Sequence, residues 1–122
     1  MNGTSYLPDT NIIVYALNGV ESVLPYLEED CFISVITEIE ILGVAGIEKR
    51  ELSVRKSAID YCTIIPLTNS IKTEAIRLKQ QFKVKLPDAI IAASALVGAY
   101  TLITADKGFK RFSSLQLILV NP

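Results

Sequence analysis

The stretch from Asp88 to Asp106 constrains the fold most, because the seventeen residues 89–105 between these carboxylates carry no charge. A membrane-spanning helix needs about 20 consecutive apolar residues, and this run is shorter and is interrupted by Gly98. It therefore divides into two elements. We predict a buried helix that ends at Gly98, followed by a short buried strand over residues 100–104 that stops before Asp106.

The start of that helix is marked by Leu86-Pro87-Asp88. Proline is tolerated in the first turn of a helix, and a carboxylate there interacts favourably with the helix dipole. Residues 89–97 are apolar on every face, which is typical of a helix inside a domain. One acid therefore begins a buried helix, and another follows a buried strand.

The length of 122 residues suffices for one domain with its own core, so we expect residues 1–122 to form a single domain. Half of the residues are hydrophobic and the mean hydropathy is +0.38. This excess favours a homodimer or a groove covered by a partner, although a dense α/β core would also explain it. The net charge of −1 excludes general polyelectrolyte binding, so any nucleic-acid contact must use local basic patches.

The chain contains no histidine. This excludes Ser-His-Asp and Cys-His triads, imidazole bases and His-ligated metals. Cys31 and Cys62 lie in strand-like apolar runs and are predicted to be small buried hydrophobic residues, without a disulfide framework or zinc-site spacing. Residues 1–4 lack the pattern of a secretion signal, so we expect a reducing cytoplasmic setting.

Strands and helices alternate along the chain. Strands are predicted at 5–8, 31–35, 62–67, 100–104 and 115–120, and helices at 10–17, 20–29, 36–46, 48–61, 69–83 and 86–97, with an acidic turn after the second helix and a helical turn at 107–112. This alternation predicts a three-layer α/β/α fold with a central, mostly parallel five-stranded sheet.

Four acids are candidates for one site at the carboxyl edge of this sheet, where open parallel sheets bind ligands. Asp9 and Asp106 follow predicted strands, and Glu40 lies in the first two turns of the helix after the second strand. Asp88 reaches the same edge only if the helix at 69–83 runs away from it and the chain then turns back. Each acid could instead serve only as a helix cap or dipole partner.

Periodicity does not decide between Glu40 and Glu38. Glu40 falls between Ile36 and Val44, which predicts partial burial and the need for a partner. Glu38 falls near Leu42 and is an equally acceptable candidate on this ground.

Clustered carboxylates raise one another's pKa, and a hard divalent cation usually relieves the repulsion. Ligands that are all oxygen suit Mg²⁺ or Mn²⁺, which activate water and neutralise phosphoryl oxygens in metal-dependent nucleases. Lys85 and Lys107 flank the acids and are candidates for phosphate contact. Further basic residues nearby are better explained as solvated helix faces: Arg77, Lys79, Lys83, Lys110 and Arg111.

Four segments in order resemble the motifs of PIN-domain ribonucleases: Leu7–Ile12, Ser34–Gly43, Leu86–Ala95 and Leu102–Phe109. Each motif alone is weakly specific, but all four on an alternating α/β pattern are fairly specific. The second motif places the functional glutamate before an aliphatic pair, and this alignment selects Glu40 over Glu38.

The resemblance implies a PIN-like fold, a carboxylate pocket that binds Mg²⁺ or Mn²⁺, and endoribonuclease activity in which metal-activated water attacks a phosphodiester in line. Short members of this family are most often the toxin of a VapBC toxin–antitoxin pair, so it also implies a homodimer and a small antitoxin that covers the acidic site. Asp9, Asp88 and Asp106 would be metal ligands, and Glu40 a ligand or a water-positioning group. The residues implied to orient them are Thr10, Asn11, Ser34 and Thr104.

Two departures from the family pattern stand out. Pro8 would end the first strand early and shift Asp9 if its missing N–H were needed in the sheet. Many members carry Asn in the fourth motif, whereas this chain has Asp106, which increases the local negative charge.

Three other interpretations compete with a nuclease. A receiver-type signalling domain needs paired acids after the first strand and an aspartate after the third, but Asp9 stands alone and residues 65–69 contain no acid. A haloacid-dehalogenase-like phosphatase needs a second aspartate where this chain has Asn11. A PIN scaffold that binds RNA or protein without cutting also remains open, although retention of all four acids argues against it.

Overall fold

The computed structural model describes residues 5–28 and 31–122. Two predictions concern residues outside these ranges. The predicted absence of a secretion signal concerns Met1–Thr4, and the predicted acidic turn includes Glu29 and Asp30.

The described chain alternates strands and helices as predicted. The strands are β1 (Tyr6–Pro8), β2 (Phe32–Ser34), β3 (Thr63–Ile65), β4 (Thr101–Thr104) and β5 (Leu117–Leu119). The α-helices are α1 (Thr10–Leu17), α2 (Val35–Leu42), α3 (Lys49–Asp60), α4 (Asn69–Gln81) and α5 (Leu86–Gly98), and two 3₁₀ helices span Glu21–Leu27 and Lys107–Arg111. The segment predicted as a regular helix at 20–29 is therefore 3₁₀-helical. It contains Pro25, which lacks the N–H that a continuous α-helix requires.

All strand pairs are parallel, but the five strands do not form one continuous sheet. A three-stranded sheet has the order β1-β4-β5, a two-stranded sheet pairs β2 with β3, and an isolated bridge between Tyr6 and Cys31 connects them. The predicted five-stranded sheet is thus correct in its strands and directions and wrong in its continuity.

Pro8 explains this break. Alternate residues of a strand direct their backbone groups to opposite neighbours. Ser5 O and Asp9 N are bonded to β4, the latter to Ile103 O at 3.0 Å, so Tyr6 and Pro8 face β2. Because proline has no N–H, the ladder from β1 to β2 does not continue past Tyr6. The same geometry leaves β1 in register with β4 up to Pro8, and Asp9 is not displaced by an early strand end.

The core forms where α5 packs on α4 and on β4. Every residue of the segment 89–95 is buried, as predicted for a helix that is apolar on all faces. The helix ends at Gly98, as predicted, and its C-cap residue Ala99 has a left-handed conformation, with φ of +56°. A Cβ at position 98 would clash with the ring of Tyr100, so a larger residue there would require this ring to move.

Within the part of the chain that the structure describes, no helix has the length and apolar character needed to cross a membrane.

Candidate active site

Three helices contribute polar side chains to a pocket of about 130 Å³. Its wall consists of residues from the start of α1, the end of α2 and the first turns of α5: Asp9, Thr10, Asn11, Glu40, Asp88 and Ile91. Because Asp9 directly follows β1, this pocket lies at the carboxyl edge of the sheet, as parallel-sheet topology predicts. Asp88 lines it too, so the start of α5 has reached that edge.

Asp9 is the most buried of the four acids, with 5% of its surface exposed. It caps α1, since its Oδ1 accepts a hydrogen bond from the backbone N of Ile12 at 3.1 Å. Its Oδ2 accepts a hydrogen bond from the hydroxyl of Thr104 at the end of β4. The carboxylate is therefore held from two elements, and Thr104 orients it as the family resemblance implied.

Burial raises the pKa of Asp9, and repulsion from Asp88 and Asp106 raises it further, although the hydrogen bonds from Thr104 and Ile12 act in the opposite direction. A carboxylate with a raised pKa is held at an energetic cost when it is ionised.

Asp88 lies in the first turn of α5 and is half-buried. Burial is the main cause of its raised pKa, followed by the negative charges of Asp106 and Glu40. The positive charges of Lys85 and Arg111 lower it. The negative charges of the four acids therefore act on one another, and the positive charges of Lys85 and Arg111 offset this repulsion only in part.

Glu40 is exposed, which corrects the expectation of partial burial. That expectation extended the helix to residue 46, but α2 ends at Leu42 and Gly43 follows as its C-cap, so Val44 does not lie on the same helix face. Glu40 nevertheless has a partner, because the Thr10 hydroxyl donates to its Oε1 at 2.6 Å. Glu38 is partly buried and is not part of the pocket wall.

Thr37 is a site residue that the sequence interpretation missed. It is fully buried, and its hydroxyl lies 3.0 Å from the hydroxyl of Thr10. It therefore supports the threonine that holds Glu40. Its position three residues before Glu40, on the same face of α2, is a signal from which it could have been found.

Asp106 is exposed and caps the 3₁₀ helix that follows β4, with its Oδ1 accepting from the backbone N of Gly108 at 2.8 Å. Its own backbone N donates to the hydroxyl of Thr104 at 3.0 Å. Thr104 thus links Asp9 and Asp106. Asp106 is not part of the pocket wall itself, but its charge acts on both Asp9 and Asp88.

The other predicted site residues have different surroundings. Ser34 is buried and caps α2, where its hydroxyl accepts from the backbone N of Ile36 at 3.0 Å. Asn11 is exposed at the pocket wall. Lys85 and Lys107 are also exposed, and in the sequence Lys85 precedes Leu86 and Lys107 follows Asp106. Arg111, which the sequence interpretation ranked below these lysines, donates from Nη1 to Lys83 O at 2.8 Å and acts electrostatically on Asp88.

The donor set suits a hard divalent cation. Within residues 5–28 and 31–122, no three acids are arranged to enclose an ion on their own. Mg²⁺ is usually held by one or two carboxylates and completes its shell with water and substrate phosphate oxygens. Asp9 and Asp88 fit that mode of binding, because they line the same pocket and their negative charges repel each other.

The sequence matches the model of the PIN domain over residues 6–115. The chain belongs to the PIN domain family. This confirms the resemblance stated by the four motifs, and it decides against the receiver and phosphatase interpretations. Family membership supports a nuclease, and therefore a hydrolase.

Solved structures of similar length share this fold. One is VapBC2 from Rickettsia felis bound to a DNA fragment from their promoter, with 27% identity, a TM-score of 0.83, and coverage of 95% of this chain and 98% of that chain. A toxin–antitoxin complex from Klebsiella pneumoniae has 30% identity, a TM-score of 0.80, and coverage of 93% and 96%. FitAcB from Neisseria gonorrhoeae has 25% identity, a TM-score of 0.77, and the same coverage. The comparison with curated proteins gave no match.

Proposed function

We propose that this PIN-domain protein is a Mg²⁺- or Mn²⁺-dependent endoribonuclease and the toxin of a type II toxin–antitoxin pair. The observation that carries the proposal is the convergence of Asp9, Glu40 and Asp88 on one pocket, with Asp106 close enough to raise the pKa of two of them. These acids come from distant parts of the sequence, and capping alone gives no reason for them to meet.

In this proposal Asp9 and Asp88 hold the cation at the pocket, Asp106 is a third ligand from outside the pocket wall, and Glu40 is a further ligand or a water-positioning group. Water and phosphate oxygens would complete the coordination shell. The bound cation would supply a water of lowered pKa and would neutralise charge on the phosphoryl oxygens. Asp9 is well suited to a fixed ligand position, because α1 and Thr104 restrain both of its oxygens.

Glu40 would act on the water. Thr10 donates to one of its carboxylate oxygens, so the other is free to accept a hydrogen bond from a water at the pocket. A water held in this way is oriented for in-line attack on a phosphodiester. Asn11 lines the same pocket, and Thr104, together with Ser34 through its cap on α2, would keep these groups in place.

RNA would be guided to the pocket by cations at its rim. Lys85 and Lys107 are exposed beside the acids, and Arg111 is close enough to influence Asp88. Their side chains would contact phosphates on either side of the scissile bond, which positions the strand without reading its sequence.

The proposed partners are a small antitoxin and a second copy of the chain. The structural relatives are toxin–antitoxin complexes, which supports an antitoxin that covers the acidic pocket.

Leu67, Ile76 and Leu86 surround one apolar depression and are 48%, 51% and 57% exposed. The exposure of these apolar side chains supports a homodimer in which a second copy of the chain covers them. Light scattering at micromolar concentration should give twice the mass of 13.4 kDa, and a monomer mass would remove the dimer from the proposal.

The central test is a calorimetric titration of Mn²⁺ into the wild type and the Asp9→Asn variant. Asparagine keeps the cap on α1 and removes one negative ligand, so we expect binding to the wild type and none to the variant. Asp60→Asn is the matched control, because Asp60 is an exposed aspartate at the end of α3 and outside the pocket wall. Equal binding in the wild type and Asp9→Asn would contradict the site.

Cleavage of a mixed pool of single-stranded RNA tests the activity separately. We expect fragments with Mn²⁺ or Mg²⁺, none with EDTA, and none from Asp9→Asn. If Mn²⁺ binds at the site but no RNA in the pool is cut, the PIN scaffold that binds without cutting becomes the better interpretation.

A further inference from the structure

The two cysteines of the chain meet in space. Cys31 Sγ and Cys62 Sγ lie 3.2 Å apart, although the two residues are 31 positions apart in the sequence. The contact follows from the register of β2 and β3, in which Phe32 is opposite Thr63. One residue earlier on each strand, Cys31 is opposite Cys62, and Thr63 N donates to Cys31 O at 3.0 Å.

We propose that Cys31 and Cys62 are a modification site at which an intramolecular disulfide forms reversibly. Neighbouring strands lie about 4.8 Å apart, and a disulfide accepts Cα separations of about 4.4–6.8 Å. The bond therefore fits the existing backbone positions, and the sulfur atoms close their gap by small side-chain rotations. This inference stands independently of the proposed ribonuclease activity.

The surroundings of the two thiols differ in a way that suits stepwise oxidation. Cys31 is 4% exposed, whereas Cys62 is half-buried and lines an apolar cavity of about 230 Å³. The exposed Tyr61 and the aliphatic Leu17 and Leu27 line the same cavity. A small oxidant entering this cavity meets the sulfur of Cys62 first.

The hydrogen bond between the thiols supports the same order. It lowers the pKa of Cys62, and it raises the pKa of Cys31, which burial also raises. Cys62 is therefore the thiol that loses its proton more readily, and the thiolate is the nucleophilic form of cysteine.

A hydroperoxide would supply the oxidising equivalents. The Cys62 thiolate attacks one oxygen of hydrogen peroxide, the O–O bond breaks, and hydroxide leaves, which gives the Cys62 sulfenic acid. The sulfur of Cys31 then attacks the Cys62 sulfur, and its proton leaves with the displaced hydroxyl group as water. In sum, two thiols and one hydrogen peroxide give one disulfide and two waters, and an external thiol reverses the reaction by exchange.

The disulfide would close a segment that contains α2 and α3, because Cys31 precedes the first of these helices and Cys62 follows the second. Closing a loop of roughly 30 residues restricts the unfolded chain, and we expect Tm to rise by about 10 °C. The modification would thus tie down the segment that carries Glu40.

The experiment treats the reduced wild-type protein with hydrogen peroxide and follows it in four ways. We expect the free-thiol count to fall from two to zero, the intact mass to fall by two hydrogens, a monomer band on a non-reducing gel, and a higher Tm. Dithiothreitol should restore all four readings. Since the sequence has two cysteines, an intramolecular disulfide can only join this pair.

The control is the double variant Cys31→Ala/Cys62→Ala, whose Tm should not respond to peroxide or dithiothreitol. The wild type is compared with itself in two redox states, so weak folding of a variant does not affect the result. Thiols that persist after peroxide, added oxygen in the mass, disulfide-linked dimers, or a Tm that is unchanged by the bond would each overturn the proposal.

Discussion

Helix α1 borders two cavities with opposite chemistry. Thr10 and Asn11 at its start line the acidic pocket of about 130 Å³, whereas Ile13, Ala16 and Leu17 line the apolar cavity of about 230 Å³. The larger cavity contains none of the four carboxylates. The smaller one gathers three of them from α1, α2 and α5, so charge rather than size indicates where the reaction would occur.

The two regions also contribute to stability with opposite sign. The apolar cavity lies against a buried cluster that includes Ile13, Ile33 and Ile41, whose removal from water stabilises the fold. At the acidic pocket, burial and repulsion raise the pKa of Asp9 and Asp88, so ionising them in the absence of a cation destabilises the fold. The contrast indicates that, of the two regions beside α1, the apolar one stabilises the fold and the acidic one destabilises it unless its charges are neutralised.

The largest expected effect is the loss of activity in Asp88→Asn. Removing one charged ligand should lower the rate of Mn²⁺-dependent RNA cleavage by about 100-fold or more, because cation binding and water activation are both weakened. The measurement is the initial cleavage rate at saturating Mn²⁺, with Asp60→Asn as the control. Full activity in Asp88→Asn would show that the acidic pocket is not the reactive region.

Next is a change on the apolar side. Ile33 is fully buried, so Ile33→Ala should lower the free energy of unfolding by about 3 kcal/mol, measured by urea denaturation. The Mn²⁺ affinity of the folded variant should be unchanged. The matched control is Val54→Ala, because Val54 is 52% exposed. If Ile33→Ala lost Mn²⁺ affinity while folded, the two regions would not be separable.

A smaller effect is expected for Asp88→Asn without metal, where the variant should melt a few degrees above the wild type at neutral pH. Since the folded-state pKa of Asp88 is raised above 3.8, its proton is bound more tightly in the folded state. The stabilisation that this bound proton gives the folded protein is fully present below pH 3.8, and it is lost as the pH rises through the raised pKa of Asp88.

The difference in Tm between Asp88→Asn and the wild type should therefore shrink as the pH falls towards 3.8. Added Mn²⁺ should reverse the order, because the cation stabilises the wild type alone. A variant that melts below the wild type at neutral pH without metal would contradict the repulsion at this pocket.

The smallest expected effect belongs to Thr37→Val. It removes the hydroxyl that lies against the Thr10 hydroxyl, at a cost of about 1 kcal/mol in unfolding free energy. Glu40 should be held less firmly, and cleavage should fall by less than about 10-fold. Thr73→Val on the exposed face of α4 is the control. No change in either quantity would assign Thr37 to packing alone.

The order of the elements and the identity of the candidate acids could be predicted from the sequence. Local patterns sufficed, because helix starts, apolar runs and the Pro87-Asp88 pair are features of neighbouring residues. The motif order also identified the family, which the match over residues 6–115 confirmed. Asp9 and Asp106 could be named for the same reason, since they directly follow strands, and Asp88 lies in the first turn of a helix, whereas Glu40 was selected by the motif alignment.

The contacts between these elements became visible only in the three-dimensional structure. The break between β1 and β2 depends on which neighbour the missing N–H of Pro8 faces, and the exposure of Glu40 depends on α2 ending at Leu42. The contacts of Thr37 with Thr10 and of Cys31 with Cys62 join residues 27 and 31 positions apart. Such contacts arise from strand register and helix packing, which are set by the whole core, so a local pattern can suggest a candidate such as Thr37 but does not show which residue it meets.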